Sequence, residues 1–437
     1  MLRRTLTLAG ALGALALLTT SGFAQETAPQ VASIIHAGRL LADPATGRVT
    51  TEQSILVGAD GRVIGIEAGY VTREGATIVD QRDRFVLPGL IDSHVHLTGE
   101  LGPNQLLEEV QLTASDAALR GAGNARTTLL AGFTTVADLG APNDSIFALR
   151  RAIAEGRVPG PRIIAAGSAV TPDGGHADAN GFSPDVLNVL RSPSACSGAD
   201  ACRRAVRRQI QAGADIIKIT ATGGVLSNTA AGVGQQFSDE ELRAIVEAAH
   251  AMGRRVTAHA HGVDGINAAL RAGVDSIEHG SYIDRESVRL MRQGNRYQIP
   301  TLLAGWWVGQ LAERGGVLTP AQTAKARQVS RDMANMGRFA RQNGIRIAFG
   351  TDTGVSPHGM NAREFQLLVE AGFTPIQTIQ MATINAADHL QLNGTAGRIA
   401  AGYAADIIAV DGDPTQDVAV LMNVGFVMAR GVVHKDE

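Results

Sequence analysis

The 437-residue chain is poor in lysine, aromatic residues and cysteine. Three of its 39 basic residues are lysines, aromatic residues make up 4%, and the formal net charge is −3. A nucleic-acid-binding protein would carry a basic surface, so this charge balance disfavours that class. With 45% hydrophobic and 19% charged residues, the composition argues against disorder. Beyond the N-terminus no run of eighteen apolar residues occurs, so we expect a globular protein without a spanning helix.

Residues 1–24 have the layout of a secretory signal peptide. Arg3 and Arg4 precede an apolar stretch over 6–18, and small residues stand at 22 and 24. The arginine pair leaves both the general and the twin-arginine export routes open. We therefore expect a periplasmic or secreted protein that has no membrane contact after cleavage. In an oxidising compartment Cys196 and Cys202 can form a disulfide, with two unpaired thiols as the alternative.

Both ends of the mature chain look β-like, whereas the middle alternates short aliphatic runs with helical patterns. Residues 31–86 contain aliphatic runs separated by a hairpin signal at Asp60-Gly61, and residues 406–428 repeat this character. We predict a small composite β-sandwich from residues 25–87 and 393–437. The intervening residues 88–392 are predicted to fold as a separate α/β domain.

The middle of the chain offers eight candidate strands, the number that closes a (β/α)8 TIM barrel. They are Leu90–His96, Thr134–Asp138, Arg162–Ala166, Ile216–Thr220, Val256–His259, Ser276–His279, Gln298–Thr301 and Ile347–Asp352. A helix over 239–252 supports this interpretation, because Ser238 and Glu241 form a capping box. A doubly wound open sheet is the competing architecture, but no Gly-x-Gly-x-x-Gly turn follows a strand.

Titratable side chains occur at the ends of these strands, where barrel enzymes carry their active sites. They are His94, His96, Lys218, His259, His261, His279 and Asp352. Residues at i and i+2 of a strand point to the same side, so His94 and His96 can bind one metal ion. Taken singly, a histidine here can be structural, Lys218 can reach solvent and Asp352 can cap a helix. Their coincidence favours a hydrolytic metal site.

The same residues resemble the signature of the amidohydrolase superfamily with a two-metal site. The resemblance rests on Ile91–His96, Lys218, His259, His279 and Gly350–Asp352, and it covers essentially the whole mature chain. Segments 174–176, 222–227 and 258–262 resemble more closely an exported branch that contains Xaa-Pro and Xaa-Arg dipeptidases and ochratoxin-hydrolysing amidohydrolases.

This resemblance implies two divalent metal ions as cofactors. His94, His96 and Asp352 would hold one ion, His259 and His279 the other, and a carboxylated Lys218 would bridge them. An amine can form a carbamate once burial removes its proton, and a guanidinium cannot. A metal-bridging hydroxide would attack the amide carbonyl, and Asp352 would transfer the proton to the leaving amine. Zinc suits these ligands best, with manganese and cobalt as alternatives.

Three further residues are candidates for substrate binding. His176 follows the third strand, His261 shares a face with His259, and Tyr282 lies just beyond His279. Each can donate to a substrate carboxylate or carbonyl, or can instead support a ligand. Trp306-Trp307 follows the seventh strand and would line the pocket, with core or oligomer packing as the alternative.

We therefore expect an exported metal-dependent hydrolase that cleaves the amide of dipeptides or N-acyl amino acids. Its partner would be a small-molecule amide such as ochratoxin A, and the resemblance implies a homo-oligomer. A cyclic amidase would need the same metals. Deaminases of the superfamily usually lack the bridging lysine and carry a glutamate where this chain has Gly262. A non-catalytic periplasmic binding protein on this scaffold is the alternative from another class, and it is disfavoured because all six ligand positions are filled.

Overall fold

The architecture comes from a computed structural model that describes residues 30–227 and 232–437. The predicted signal peptide lies outside these residues. Across the two described ranges, no helix is both long and apolar enough to cross a membrane. The strands are β1 Val31–Leu40, β2 Thr50–Gly58, β3 Val63–Ala68, β4 Thr77–Pro88, β5 Leu90–Val95, β6 Phe133–Asp138, β7 Arg162–Ala165, β8 Thr171–Pro172, β9 Ala195–Cys196, β10 Ile217–Thr220, β11 Val256–Ala260, β12 Ser276–His279, β13 Tyr297–Ile299, β14 Arg346–Ile347, β15 Ile407–Val410, β16 Val424–Ala429 and β17 Val432–Asp436.

Helices alternate with the central strands. They are α1 Gln105–Gln111, α2 Ala114–Leu130, α3 Asn143–Ala154, α4 Pro184–Leu190, α5 Ala199–Ala212, α6 Asp239–His250, α7 Val263–Ala272, α8 Arg285–Gln293, α9 Leu302–Arg314, α10 Pro320–Gln342, α11 Arg363–Glu370, α12 Pro375–Gln380 and α13 Ala386–His389. The predicted capping box opens α6: the Ser238 hydroxyl accepts from the Glu241 amide, and the Glu241 carboxylate accepts from the Ser238 amide at 2.8 Å. This helix ends two residues earlier than predicted.

Strands from both ends of the chain form one seven-stranded sheet, in the order β17-β16-β15-β4-β1-β2-β3. The junction is the antiparallel pairing of β15 with β4. Asp60-Gly61 lies in the hairpin between β2 and β3, as predicted. Side chains alternate between the faces of the sheet. Val86 and Phe426 pack within the sheet's own core cluster, whereas Leu87 and Val427 join the core of the central domain.

The central domain is a barrel of eight parallel strands. Two parallel sheets, β5-β6-β7 and β10-β11-β12-β13-β14, make up its wall. A bridge between Val170 and Ile219 joins them on one side. On the other side, the His96 amide donates to Thr353 and the Asp352 amide donates to His94, both at 2.7 Å. The predicted TIM barrel is therefore correct.

The last barrel strand is shorter than expected. The sequence predicts a strand over Ile347–Asp352, but regular pairing with β13 covers only β14. Beyond β14 no regular pairing with β13 is described, and Asp352 has a φ of 59°, in the left-handed region. In the third βα unit, a disulfide between Cys196 and Cys202 joins β9 to the first turn of α5.

Candidate active site

A cavity of about 1040 Å³ opens at the C-terminal ends of the barrel strands. Its lining includes the side chains that the sequence placed at strand ends together with His176, which follows β8. They are His94, His96, His176, Lys218, His259, His261, His279 and Asp352. Parallel strands bring their carboxyl ends to one rim, which is why residues more than 250 positions apart meet here.

His94, His96 and Asp352 form one side of this cluster. Asp352 Oδ1 lies 3.3 Å from His94 Nε2 and 3.1 Å from His96 Nε2. The imidazoles hold the pKa of Asp352 far below its usual range although burial opposes this, so the carboxylate is ionised. Burial would lower the pKa of His96, but the hydrogen bond to Asp352 and its charge outweigh that effect and raise it.

Lys218 lies on β10 between the two groups of histidines. Its side chain is buried, and Nζ is 3.2 Å from His94 Nε2. Burial lowers the pKa of the Lys218 amine, although nearby carboxylates oppose the shift. A lowered pKa makes the neutral amine more accessible, and the neutral amine is the form of lysine that reacts with carbon dioxide.

His259, His261 and His279 form the other side of the cluster. One ring nitrogen from each lies within 4.8 Å of the others, and His279 also belongs to a second such group with His94 and Asp352. Burial lowers the pKa of His261 to about 4 and those of His259 and His279 well below the usual value. Neutral imidazoles offer lone pairs, so this donor set fits a divalent metal ion.

The second ring nitrogens of these histidines are fixed by neutral groups. His279 Nδ1 is 2.7 Å from the Thr301 hydroxyl, and His261 Nδ1 is 2.7 Å from the Ser281 hydroxyl. His259 Nε2 lies 3.4 Å from the Gly223 carbonyl. Such contacts set the orientation of each ring and leave the opposite nitrogen for a ligand.

Three residues at the site have a strained backbone. His279, Thr301 and Asp352 have φ values of 66°, 48° and 59°, in the left-handed region that side chains with a Cβ disfavour. Two of these residues carry candidate ligand atoms and the third orients one of them. The strain persists because the surrounding hydrogen bonds hold the backbone, as at many functional sites.

Two supporting carboxylates were assigned no role from the sequence, although Glu278 ends a predicted strand beside His279 and Asp92 belongs to the motif Ile91–His96. Glu278 Oε2 lies 2.7 Å from His94 Nδ1, and Glu278 also accepts from the Thr257 hydroxyl. Asp92 is buried and accepts from Thr351 at 2.6 Å and from Asn361 at 2.8 Å. Glu278 directly precedes His279 at the C-terminal end of β12, and a carboxylate at the end of a barrel strand was the available signal for its role.

Two expectations for the cavity wall are corrected. The Tyr282 hydroxyl donates to Asp332 at 2.8 Å, and Tyr282 does not line the described cavity, so the geometry does not support a substrate donor there. Trp306 and Trp307 also lie outside its lining. They belong to α9, which turns Ala304, Gly305 and Val308 toward the cavity, so its helical period directs the tryptophans elsewhere.

Comparison with known proteins shows which family the chain belongs to. Residues 85–433 match the Amidohydrolase family, and the chain belongs to that family. The chain is 32% identical over 413 residues to ochratoxinase of Aspergillus niger, a match that covers 89% of this chain and 83% of that protein. This chain is therefore a hydrolase that acts on amide bonds.

Solved structures with the same fold include two peptidases. A Xaa-Pro dipeptidase with bound methionine in its active site is 37% identical, with a TM-score of 0.87 over 92% of this chain and 99% of that chain. A prolidase complexed with N-methylphosphonate-L-proline is 30% identical, with a TM-score of 0.84 over 93% of this chain and 100% of that chain.

Proposed function

We propose that this protein is an exported, two-metal amidohydrolase that releases the C-terminal amino acid of dipeptides or N-acyl amino acids. The convergence of four histidines, Lys218 and Asp352 at the base of one cavity carries the proposal. Relatives that are named as an ochratoxinase, a Xaa-Pro dipeptidase and a prolidase support this substrate class. Ochratoxin A is therefore one candidate substrate.

The proposed ligands are those of the sequence prediction. His94, His96 and Asp352 would hold one divalent ion, and His259 and His279 the other, with carboxylated Lys218 shared between them. Zinc is the proposed metal because imidazole and oxygen donors suit it. When bound, such ions make water acidic enough to ionise near neutral pH and polarise a carbonyl.

The protein's own groups would then move the proton and position the substrate. Asp352 is ionised and can accept a proton from the attacking water and pass it to the leaving amine. His176, whose pKa burial lowers to about 3, and His261 are neutral and can donate to a substrate oxygen. Their Nδ1 atoms each lie 2.7 Å from a serine hydroxyl, which leaves Nε2 for the substrate.

Export and self-association belong to the same proposal. The layout of residues 1–24 and the Cys196–Cys202 disulfide support a periplasmic or secreted location. Exposed apolar side chains beside the cavity mouth, among them Leu107, Val110 and Leu119, support a homo-oligomer.

The test is a chromatographic screen of the purified mature protein, supplied with zinc and bicarbonate, against dipeptides, N-acyl amino acids and ochratoxin A. Lys218→Ala removes the proposed bridging ligand, and Lys435→Ala is the matched control on the outer sheet. We expect an amino acid to be released by the wild type and by Lys435→Ala but not by Lys218→Ala. Two bound metals with an intact panel would redirect the proposal to cyclic amides, and a protein that binds no metal would refute it.

A further inference from the structure

The segment Thr222–Ser227, called the histidine loop below, contacts three of the cavity histidines. The Ser227 hydroxyl lies 2.7 Å from His176 Nδ1, and the Thr222 hydroxyl accepts from the His261 amide at 3.0 Å. The Gly223 carbonyl faces His259 at 3.4 Å. Val225 and Leu226 of the loop line the cavity directly. The position of this loop therefore sets one wall of the cavity.

The loop and His176 fit together with no free space at Gly224. A Cβ atom placed there would lie 2.2 Å from the imidazole ring, far closer than a contact permits. The ring of His176 lies in turn against that of His259, with 4.2 Å between centroids. A small displacement of the loop would consequently displace His176 in the cavity.

Helix α10 holds the histidine loop from outside the cavity. Lys325 Nζ donates to the carbonyls of Gly224 at 3.0 Å and of Ser227 at 2.7 Å. Gln322, one turn earlier, donates to the carbonyl of Leu226 at 2.7 Å. Three of the four carbonyls of residues 224–227 thus accept from two side chains about a hundred positions away. Hydrogen bonds from a charged donor are the stronger kind.

The choice of lysine is informative in a chain that has 39 basic residues and uses lysine three times. An ammonium is compact and directs its three protons to separate acceptors, whereas a guanidinium is a planar fork suited to carboxylates. The ammonium of Lys325 can therefore donate to the carbonyls of both Gly224 and Ser227. The Lys325 charge also acts on His176 and His261, where it favours the neutral imidazole in addition to the larger effect of burial.

We propose that Lys325 is a positioning residue for substrate binding, which holds the histidine loop and thereby fixes the place of the His176 ring in the cavity. The part of this inference that concerns substrate rests on the proposed function. The part that concerns the loop does not. The described hydrogen bonds of Lys325 go to backbone carbonyls of the histidine loop, so its loss should affect substrate affinity before it affects metal binding.

The first experiment measures amide hydrogen exchange of residues 222–227 in the wild type, Lys325→Met, Lys325→Arg and the control Lys435→Met. We expect exchange in this segment to accelerate about tenfold in Lys325→Met, to recover in part in Lys325→Arg, and to stay unchanged in the control. Equal exchange in wild type and Lys325→Met would overturn the proposal, whichever substrate the enzyme has. If Lys325→Met does not fold, the same measurement is made on Lys325→Gln, whose shorter and uncharged side chain cannot reproduce both contacts, and equal exchange in wild type and Lys325→Gln would overturn the proposal.

The second experiment measures KM, kcat and bound metal for the same variants on a substrate that the wild type cleaves. Lys325→Met should raise KM about tenfold, change kcat less than about threefold and keep the wild-type metal content. Lost metal together with a lowered Tm would indicate a general structural role and overturn the proposal. A wild type that cleaves nothing in the panel would contradict the proposed function alone, because the exchange result still decides the role of Lys325.

Discussion

The two halves of the histidine cluster are held by chemically different groups. In the first half, His94 Nδ1 contacts the Glu278 carboxylate at 2.7 Å, and the Asp352 carboxylate lies 3.1 Å from His96 Nε2, while His96 Nδ1 contacts the Gly140 carbonyl at 2.8 Å. In the second half, His259, His261, His279 and His176 contact hydroxyls and a carbonyl. The same residue type therefore lies in an anionic environment on one side of Lys218 and in a neutral environment on the other.

This difference has consequences for metal affinity. The Glu278 carboxylate at His94 Nδ1 would make that imidazole a stronger ligand, and the negative charge of Asp352 would offset the charge of a cation. Neutral donors fix the ring without adding charge. We therefore expect the first half to bind its ion more tightly, and the second half to lose its ion first when metal is limiting. The neutral half is also the side on which Ser227 of the histidine loop contacts His176, the proposed substrate-binding residue.

The largest effect should come from removing the charge of the first half. Asp352→Asn keeps the shape of the side chain but removes the proposed proton acceptor and the proposed anionic ligand. We expect kcat to fall about 10³-fold, in the range that general acid–base catalysis contributes. Steady-state kinetics with a dipeptide substrate measure it, beside the control Asp264→Asn at the exposed start of α7. A variant that retained a tenth of wild-type kcat would exclude this role.

A smaller effect, on metal affinity, is expected when the residue that orients a histidine of either half is replaced. Glu278→Gln removes the carboxylate beside His94, and Thr301→Val removes the hydroxyl beside His279. We expect Glu278→Gln to weaken the tighter metal site by about 10–100-fold, as loss of such a support does elsewhere. Thr301→Val should weaken only the looser site. Competition titration with a chelator reports both affinities, and equal losses in the two variants would refute the distinction between the halves.

Much of this site could be predicted from the sequence because strand ends are local signals. Histidines two positions apart at the end of an aliphatic run specify both the strand and the direction of the side chains. Once eight such runs are recognised, the barrel brings their ends together. For this reason His94, His96, Lys218, His259 and Asp352 all line one cavity.

The supporting residues could not be predicted in the same way. Lys325 contacts the histidine loop and Asn361 contacts Asp92, although each pair is far apart along the chain. No local sequence pattern predicts such contacts. The direction of a side chain beyond a strand is equally hidden. Tyr282 lies three residues after His279, yet its hydroxyl faces Asp332 on α10. Sequence proximity gives position along the chain and leaves orientation to the tertiary packing.

Titration of the metal-free protein should reveal the electrostatic difference between the two halves of the histidine cluster. The pKa of His96 is raised by Asp352 despite burial, whereas burial lowers those of His259 and His279. On acidification we therefore expect His96 to gain its proton before either of the other two. Nitrogen chemical shifts of the imidazoles measure the order. Protonation of His279 before His96 would contradict the electrostatic difference between the halves.

The smallest expected effect is on the free energy of unfolding, and it comes from a carboxyl group behind the second half of the histidine cluster. Glu364 is fully buried and accepts from the amides of Leu302 and Leu303, next to the residue that orients His279. Burial raises its pKa from 4.5 to about 8, so this acid is largely neutral at pH 7, consistent with the uncharged character of this half.

A folded-state pKa above the unfolded one means that the native protein holds the extra proton between those values. The free energy of unfolding should therefore decrease as pH rises from about 5 to 8, by at most about 1.4 kcal/mol per pH unit from this group. Glu364→Gln cannot ionise and should lack this component. Urea denaturation of the metal-free proteins at pH 5, 6, 7 and 8 measures the difference, with Glu370→Gln on the exposed part of α11 as the control. Parallel pH profiles for wild type and Glu364→Gln would show that Glu364 is ionised in the native state, and the second half would then contain a buried negative charge after all.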